Sequence, residues 1–84
     1  MDVSPKIKIA VLTNGFVHVG ECSVSDGWLI ITNARNIRRW GTETGLGELA
    51  TKGPRPNSVI DQVGTIEAPI GSVIFLVDCD PSKW

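Results

Sequence analysis

The hydrophobic and polar positions in the first half of the chain repeat every two residues, which is the period of a β-strand. Residues 6–12 begin with strict polar/apolar alternation, and Asn14-Gly15 directly after them is a strong β-hairpin signal. The returning strand covers residues 16–24, a second turn follows, and a third strand opens at Trp28 and runs on to residue 37 or 40. This half of the chain therefore predicts a three-stranded antiparallel meander, with Trp28 in its core.

The period changes in the second half. Residues 46–52 carry apolar side chains at the spacing i, i+3 and i+4, which predicts a short helix that ends at Gly53. Further strands are predicted at residues 59–66 and 72–79, and the continuous apolar run of the last one indicates a central or doubly covered strand. The predicted fold class is mostly β (α+β): a small antiparallel β-barrel or sandwich of four to five strands with one short helix, forming a single domain over residues 1–84.

Size and composition favour a homo-oligomer. The chain has 84 residues, of which 42% are hydrophobic and three are tryptophan, and its mean hydropathy is +0.09. A domain this small buries only about 60% of its unfolded surface, so association adds stability. Trp84 is accordingly expected either to be disordered or to dock on a neighbouring subunit. A monomer with a compact core is the alternative.

Charge and apolar runs limit the partners and the location. The net charge is −1 and the isoelectric point is near 5.7, which argues against bulk nucleic-acid binding. Because no run of 18 apolar residues occurs and residues 1–5 do not resemble the start of a signal peptide, neither a membrane span nor secretion is predicted. Cys22 and Cys79 are therefore expected to be free thiols in a reducing cytoplasm.

Residues that could support catalysis are sparse. His18 is the single histidine, and no nucleophile stands beside a base in the sequence. The chain has no glycine-rich phosphate loop and no metal-ligand spacing. We therefore predict a protein that is not an enzyme and that has no cofactor and no metal. His18 shares a strand face with Phe16 and Cys22, which is typical of a half-buried structural histidine, although it stays a candidate ligand contact.

Arginines and a tryptophan are concentrated in residues 33–41. Because no acidic residue lies between positions 26 and 43, this segment carries a local charge of +3. Guanidinium groups bind phosphate or carboxylate oxygens in pairs, and a tryptophan face stacks on bases. The segment and the loop after it thus predict a site for a small anion such as a nucleotide, and the alternative is a solvated edge whose charges prevent aggregation. The candidate ligand-binding residues are Arg35, Arg38, Arg39, Trp40, Thr42, Thr44 and His18. Arg55, between two prolines, is expected to serve solubility, and the alternative is that it reaches over the site as a gate.

Several motifs together carry a family resemblance. They are Gly15-Phe16-Val17-His18-Val19-Gly20, the block from Asn33 to Trp40, then Leu46, Glu48-Leu49-Ala50 and Gly53, and the final apolar strand. This set resembles a family of small uncharacterised phage-encoded domains, in which an Ala-Arg-Arg-Ile-aromatic-x-Trp block is followed by a Leu-x-Glu-Leu-Ala helix. The chain departs from the pattern at Asn36, where a second arginine is usual, and at Arg38, where an aromatic residue is usual.

The order of elements is also similar to that of the Thoeris anti-defence sponges of phages. This second resemblance implies a non-enzymatic phage protein that acts in the host bacterial cytoplasm, oligomerises and sequesters a cyclic nucleotide or ADP-ribose-type immune signal. The alternatives are a protein-binding inhibitor of a host defence enzyme, similar to an anti-CRISPR protein, and a minor virion component.

Overall fold

A computed structural model describes residues 6–84 of the chain. The N-terminal segment for which no signal peptide is predicted, residues 1–5, lies outside the described residues. The helix and strands are β1 (Lys6–Leu12), β2 (Val17–Ser25), β3 (Trp28–Arg39), α1 (Leu46–Lys52), β4 (Val59–Pro69) and β5 (Val73–Asp78). Short 3-10 turns occupy Thr13–Gly15, Ile70–Ser72 and Pro81–Lys83.

The five strands form one antiparallel sheet in the order β4-β3-β2-β1-β5. The two edge strands, β4 and β5, are consecutive in the chain and are joined by only the three residues Ile70–Ser72. Because so short a connection cannot cross a flat sheet of five strands, the sheet must curl until its edges approach each other. The edges do not pair, so the molecule is an open barrel or sandwich, and the predicted fold class is confirmed.

The first two hairpins form where the sequence predicts them. Asn14 and Gly15 have φ values of 64° and 78°, and Asp26 and Gly27 have φ values of 50° and 81°. Asp26 and Gly27 form a two-residue turn between Ser25 and Trp28, and such a turn needs positive φ at both residues to match the twist of the paired strands. The first loop has three residues, Thr13–Gly15, and its last two have positive φ. The Asn-Gly and Asp-Gly pairs satisfy that requirement at low steric cost.

The sheet buries apolar side chains on both faces. On one face, residues of β1 pack with residues of β3 and β4, although β1 pairs with neither strand, so the sheet folds over this face. This inner cluster comprises Ala10, Leu12, Cys22, Leu29, Ile31, Ala34 and Ala68. On the other face the sheet packs against α1, and the outer cluster comprises Ile9, Val17, Val19, Ile37, Leu49 and Ala50.

Two predictions about burial are wrong. Strand β5 is an edge strand that pairs only with β1, and Ile74, Phe75 and Leu76 are 59%, 49% and 37% exposed. A continuous apolar run does not show how many strands pair with it, so the sequence could not distinguish a central strand from an edge strand. Trp28 is 46% exposed because it stands at the first position of β3, opposite Pro69 at the end of the sheet and beyond both clusters.

The tail also differs from expectation. Trp84 is half-buried and packs on its own chain against the outer cluster. Its indole Nε1 donates a hydrogen bond to the Ala50 carbonyl oxygen of α1 at 3.4 Å. The backbone N–H of Asp80 donates to the same oxygen at 3.0 Å. Two hydrogen bonds to one carbonyl oxygen therefore hold the tail against the helix.

Candidate functional site

The three arginines of β3 point to different surroundings. Arg38 donates from Nε to Asp61 Oδ2 at 2.6 Å and from Nη2 to Asp61 Oδ1 at 3.3 Å. This two-point pair is exposed to solvent, so it contributes little to stability, but it neutralises Arg38. Arg35 lies beside Trp84, and Arg39 stands at the end of β3 near α1. The structure therefore does not bring the predicted arginines together in one site.

Arg39 lines a cleft of about 560 Å³ between the end of β3, helix α1 and the loop before β4. We call it the α1 cleft. Its lining residues are Arg39, Gly41, Thr42, Glu43, Glu48, Lys52, Arg55, Pro56 and Asn57. Of the residues predicted from sequence to bind a ligand, Arg39 and Thr42 meet here, and Arg55 reaches the same cleft.

The α1 cleft carries an excess of positive charge. Arg39, Lys52 and Arg55 contribute three positive charges and Glu43 and Glu48 two negative ones, which leaves +1. Arg55 Nε lies 3.5 Å from Glu48 Oε2, whereas neither Arg39 nor Lys52 forms an ion pair within residues 6–84. Two cations are therefore free to meet an anion in the cleft.

Glu48 organises the loop that forms one wall of the α1 cleft. Its Oε1 accepts hydrogen bonds from the Thr44 hydroxyl at 2.9 Å, the Thr44 backbone N–H at 3.1 Å and the Glu43 backbone N–H at 3.2 Å. The bond from the Thr44 side chain is the largest cause that lowers the pKa of Glu48. The Thr44 hydroxyl, which the sequence predicts as a ligand donor, is therefore engaged within the protein.

Thr42 remains able to donate. Its Oγ1 accepts a hydrogen bond from the Gly45 backbone N–H at 3.1 Å, so the hydroxyl proton is free to point elsewhere. Trp40, 41% exposed, is absent from the residues that line the α1 cleft. Stacking by Trp40 on a ligand in this cleft would require the side chain to move.

Hydrogen bonds of the Ser58 side chain and a close backbone contact at Gly41 hold the loop before β4 against the end of β3. Ser58 Oγ donates to the Trp40 carbonyl oxygen at 2.6 Å and accepts from the Arg55 backbone N–H at 2.8 Å. Gly41 has φ 66°, and a Cβ at this position would lie 2.3 Å from the Asn57 carbonyl carbon. Only glycine permits this approach, which carries Arg55 to the same cleft as Arg39.

His18 lies neither in the α1 cleft nor in a second cleft, which Arg35 lines and which is described next. It is on β2 between Ala10 and Asn36, is 9% exposed, and its Nδ1 has no hydrogen-bond partner among the described residues. Burial lowers the pKa of His18, which favours the neutral imidazole. This position agrees with a structural histidine, and a ligand in either cleft would not reach it without rearrangement.

Arg35 lines a second cleft, of about 350 Å³, on the sheet face that α1 also covers. We call it the Trp84 cleft. The guanidinium carbon of Arg35 lies 5.2 Å from the centre of the Trp84 ring, and its Nη2 donates to the Trp84 main-chain oxygen at 3.4 Å. The lining residues are Ile7, Gly20, Glu21, Asn33, Ala34, Arg35, Gln62, Gly64 and Trp84.

The sequence analysis missed three charged participants. Glu48 and Lys52 belong to the α1 cleft, and their i, i+4 spacing on the predicted helix was the available signal. Glu21 belongs to the Trp84 cleft, and its only signal was its place on β2 opposite a predicted binding segment. These residues come from distant parts of the chain, so only the topology unites them with the arginines.

Neither thiol has the character of a nucleophile. Cys22 and Cys79 are free, as predicted. Burial raises the pKa of Cys22, and burial is also the main cause that raises the pKa of Cys79 to about 11. Both groups are therefore protonated near neutral pH.

Other binding chemistries have little structural basis in the part of the chain that is described. No cluster of three or more His, Cys, Asp or Glu side chains that could hold a metal ion occurs within residues 6–84. No helix in that range is long and apolar enough to cross a membrane. No protein-family model matches the chain, and no curated protein matches it significantly. The resemblance to phage domains and to sponges therefore stays a prediction.

Proposed function

We propose that this protein binds and holds a small phosphate-bearing ligand in the α1 cleft without chemical change. The observation that carries the proposal is the pair Arg39 and Lys52, two cations that form no ion pair within residues 6–84 and that line one cleft of about 560 Å³. Charge-assisted bonds from such groups to phosphate oxygens are among the stronger polar interactions in proteins. Arg55 would add a third contact by releasing Glu48.

The ligand class we propose is a cyclic nucleotide or an ADP-ribose derivative. The α1 cleft offers cations for phosphate, the Thr42 hydroxyl for a ribose and the Asn57 amide for a base edge. Its volume lies within the range of small-molecule sites. Sequestration needs tight binding and many copies of the protein but no reaction.

With this ligand class, the proposed role is that of a phage-encoded anti-defence protein that removes an immune signal from the host bacterial cytoplasm. Formation of a homo-oligomer is part of the proposal. Ile74 and Phe75 on the edge strand β5 are large, apolar and about half exposed, and association would cover them. Each copy has its own α1 cleft, so an oligomer would hold several ligands.

Native mass spectrometry of protein purified from infected or signal-producing cells tests this function. After denaturation, the released small molecules are identified by their masses. The proposal predicts an intact nucleotide, bound in a fixed ratio to the chain. Protein that carries no small molecule and binds no member of a panel of cyclic nucleotides and ADP-ribose derivatives would contradict it.

An inhibitor that binds a host defence protein is the second candidate. A specific surface favours it: Val24, Trp28 and Ile70 are 61%, 46% and 45% exposed. They lie at the same end of the sheet, because Trp28 is opposite Pro69 and the Ile70 backbone N–H bonds to the Gly27 carbonyl oxygen. Exposed aromatic and aliphatic clusters are typical of interaction sites. Capture of one stoichiometric host protein, lost in a Trp28→Ser variant, would support this candidate.

A further inference from the structure

The Trp84 cleft contains one cation and one anion that do not meet. Arg35 and Glu21 both line the cleft and are both half-buried. Within residues 6–84 neither side chain forms an ion pair with any acidic or basic side chain, including each other. Opposite charges on one partly enclosed cleft attract each other. Their separation leaves a polar gap that is positive at one side and negative at the other.

The positive side is held in place by packing. The Trp84 ring lies against the guanidinium of Arg35, and the indole is fixed to α1 through the Ala50 carbonyl oxygen. Of the five N–H donors of Arg35, one contacts the Trp84 main-chain oxygen. The remaining donors are available to a ligand, and a guanidinium in a fixed orientation loses less entropy on binding than a mobile one.

Beside the two charges the cleft offers amides and an interrupted sheet. Gln62 lies directly opposite Arg35 on β4, and Asn33 has a φ of 52° where β3 departs from regular pairing. The pairing register shifts at this level on both sides of β3, between Val19 and Glu21 on β2 and between Ile31 and Ala34 on β3. Such bulges leave backbone groups unpaired and are common beside binding sites.

We propose that the Trp84 cleft binds a small zwitterion that carries one carboxylate and one ammonium group, namely a free amino acid or a dipeptide. Arg35 pairs with the carboxylate and Glu21 with the ammonium group, while the amides of Asn33 and Gln62 bond other polar atoms of the ligand. The Trp84 ring provides the apolar wall. A volume of about 350 Å³ accommodates ligands of this size.

This site differs in charge from the α1 cleft. Its charged side chains sum to zero, +1 from Arg35 and −1 from Glu21, whereas those of the α1 cleft sum to +1. A ligand with several phosphates would find one cationic side chain here, whereas three line the α1 cleft. The two clefts therefore select different ligands, and the inference does not depend on the function proposed above.

Titration of the isotope-labelled full-length protein with glycyl-L-glutamine and with L-glutamine, followed by two-dimensional NMR, tests the proposal. The expected result is a saturable shift of the Trp84 indole N–H and of backbone signals around Asn33 and Gln62. The control ligands are N-acetyl-glycyl-glutamine, which lacks the ammonium group, and glycyl-glutamine amide, which lacks the carboxylate. Each should bind at least about tenfold more weakly, because it leaves one charged partner in the cleft without its contact.

Variants that remove one charge from the Trp84 cleft test the same two contacts from the side of the protein. Arg35→Gln and Glu21→Gln should each weaken zwitterion binding by about tenfold or more, whereas Arg39→Gln, in the α1 cleft, should leave it unchanged. The absence of a saturable shift with both zwitterions would overturn the proposal. Equal binding of the N-acetyl ligand and the free dipeptide would also overturn it. The ligand controls use the unmodified protein, so the test stands even if a variant fails to fold.

Discussion

Replacement of Gly41 by alanine should separate the loop before β4 from the end of β3. The new Cβ would lie 2.3 Å from the Asn57 carbonyl carbon, 2.5 Å from the Ser58 nitrogen and 2.6 Å from the Asn57 oxygen, all of which are backbone atoms. Because backbone cannot turn aside as a flexible side chain does, the two segments must move apart by about 1 Å to restore ordinary contact distances.

The cost has three sources. Alanine at a φ of 66° carries roughly 1–2 kcal/mol of backbone strain. The overlap with residues 57 and 58 adds about 1 kcal/mol or more, and a weakened hydrogen bond from Ser58 to Trp40 adds about 1 kcal/mol. The free energy of unfolding should therefore fall by about 3–4 kcal/mol, a large part of the roughly 4–12 kcal/mol expected for a chain of this size.

Urea unfolding followed by tryptophan fluorescence measures the loss, and Gly47→Ala is the matched control. Gly47 lies within α1, and a Cβ there would have no atom within 4 Å. Since alanine favours helix over glycine, Gly47→Ala should raise the free energy of unfolding by about 0.5–1 kcal/mol. If Gly41→Ala unfolds at the same urea concentration as the unchanged protein, the close contact of Gly41 with the backbone of residues 57 and 58 is not present in solution.

Three further predictions concern the core, the thiols and the response to acid. Leu49→Ala should lower the free energy of unfolding by about 2–5 kcal/mol in the urea assay, because this side chain is 0% exposed in the outer cluster, and a loss under 1 kcal/mol would contradict that packing. Cys79, with its pKa raised to about 11, should react slowly with a thiol reagent at pH 8 in the folded protein and rapidly in urea, and equal rates would refute its burial. The hydrogen bond and charge of Lys8 lower the pKa of Asp78 in the folded protein. The ion pair therefore contributes stability above pH ~3.9, the pKa of an aspartate in the unfolded chain, and this contribution is lost as the pH falls through the lower pKa of the folded state. Lys8→Met should therefore flatten the acid limb of the stability curve, and an unchanged limb would show that the pair does not hold in solution.

The sequence predicted most of the fold because the strands of the meander carry their signals locally. Asn14-Gly15 and Asp26-Gly27 specify tight turns through their backbone preferences, and the alternation after each turn specifies a half-buried strand. Gly53 ended the predicted helix where the structure ends it. The exposure of β5 could not be predicted from the sequence, because an edge position depends on which strands pair and not on the composition of the strand itself.

The candidate site was predictable only in part, for a related reason. The clustering of arginines in β3 was evident from the sequence. The surroundings of each arginine depend on the face of the strand that it occupies and on the residues that the fold brings next to it. Asp61 neutralises Arg38, Trp84 packs on Arg35, and Lys52 joins Arg39. Each partner lies at least 13 positions away in the sequence from the arginine it joins, so no local pattern could reveal it.

The central claim is that a phosphate-bearing ligand binds at the α1 cleft, and calorimetric titration of two arginine variants tests it most directly. Cyclic dinucleotides, cyclic ADP-ribose and ADP-ribose are the probes, and the unchanged protein should bind at least one of them. Arg39→Gln should weaken that binding by more than about 1.5 kcal/mol, the loss typical of a hydrogen bond to a charged group. Arg38→Gln removes the same charge from the neighbouring position, where Asp61 already neutralises it, and should leave the affinity within about twofold of the original. No binding of any probe, or equal losses in the two variants, would contradict the account.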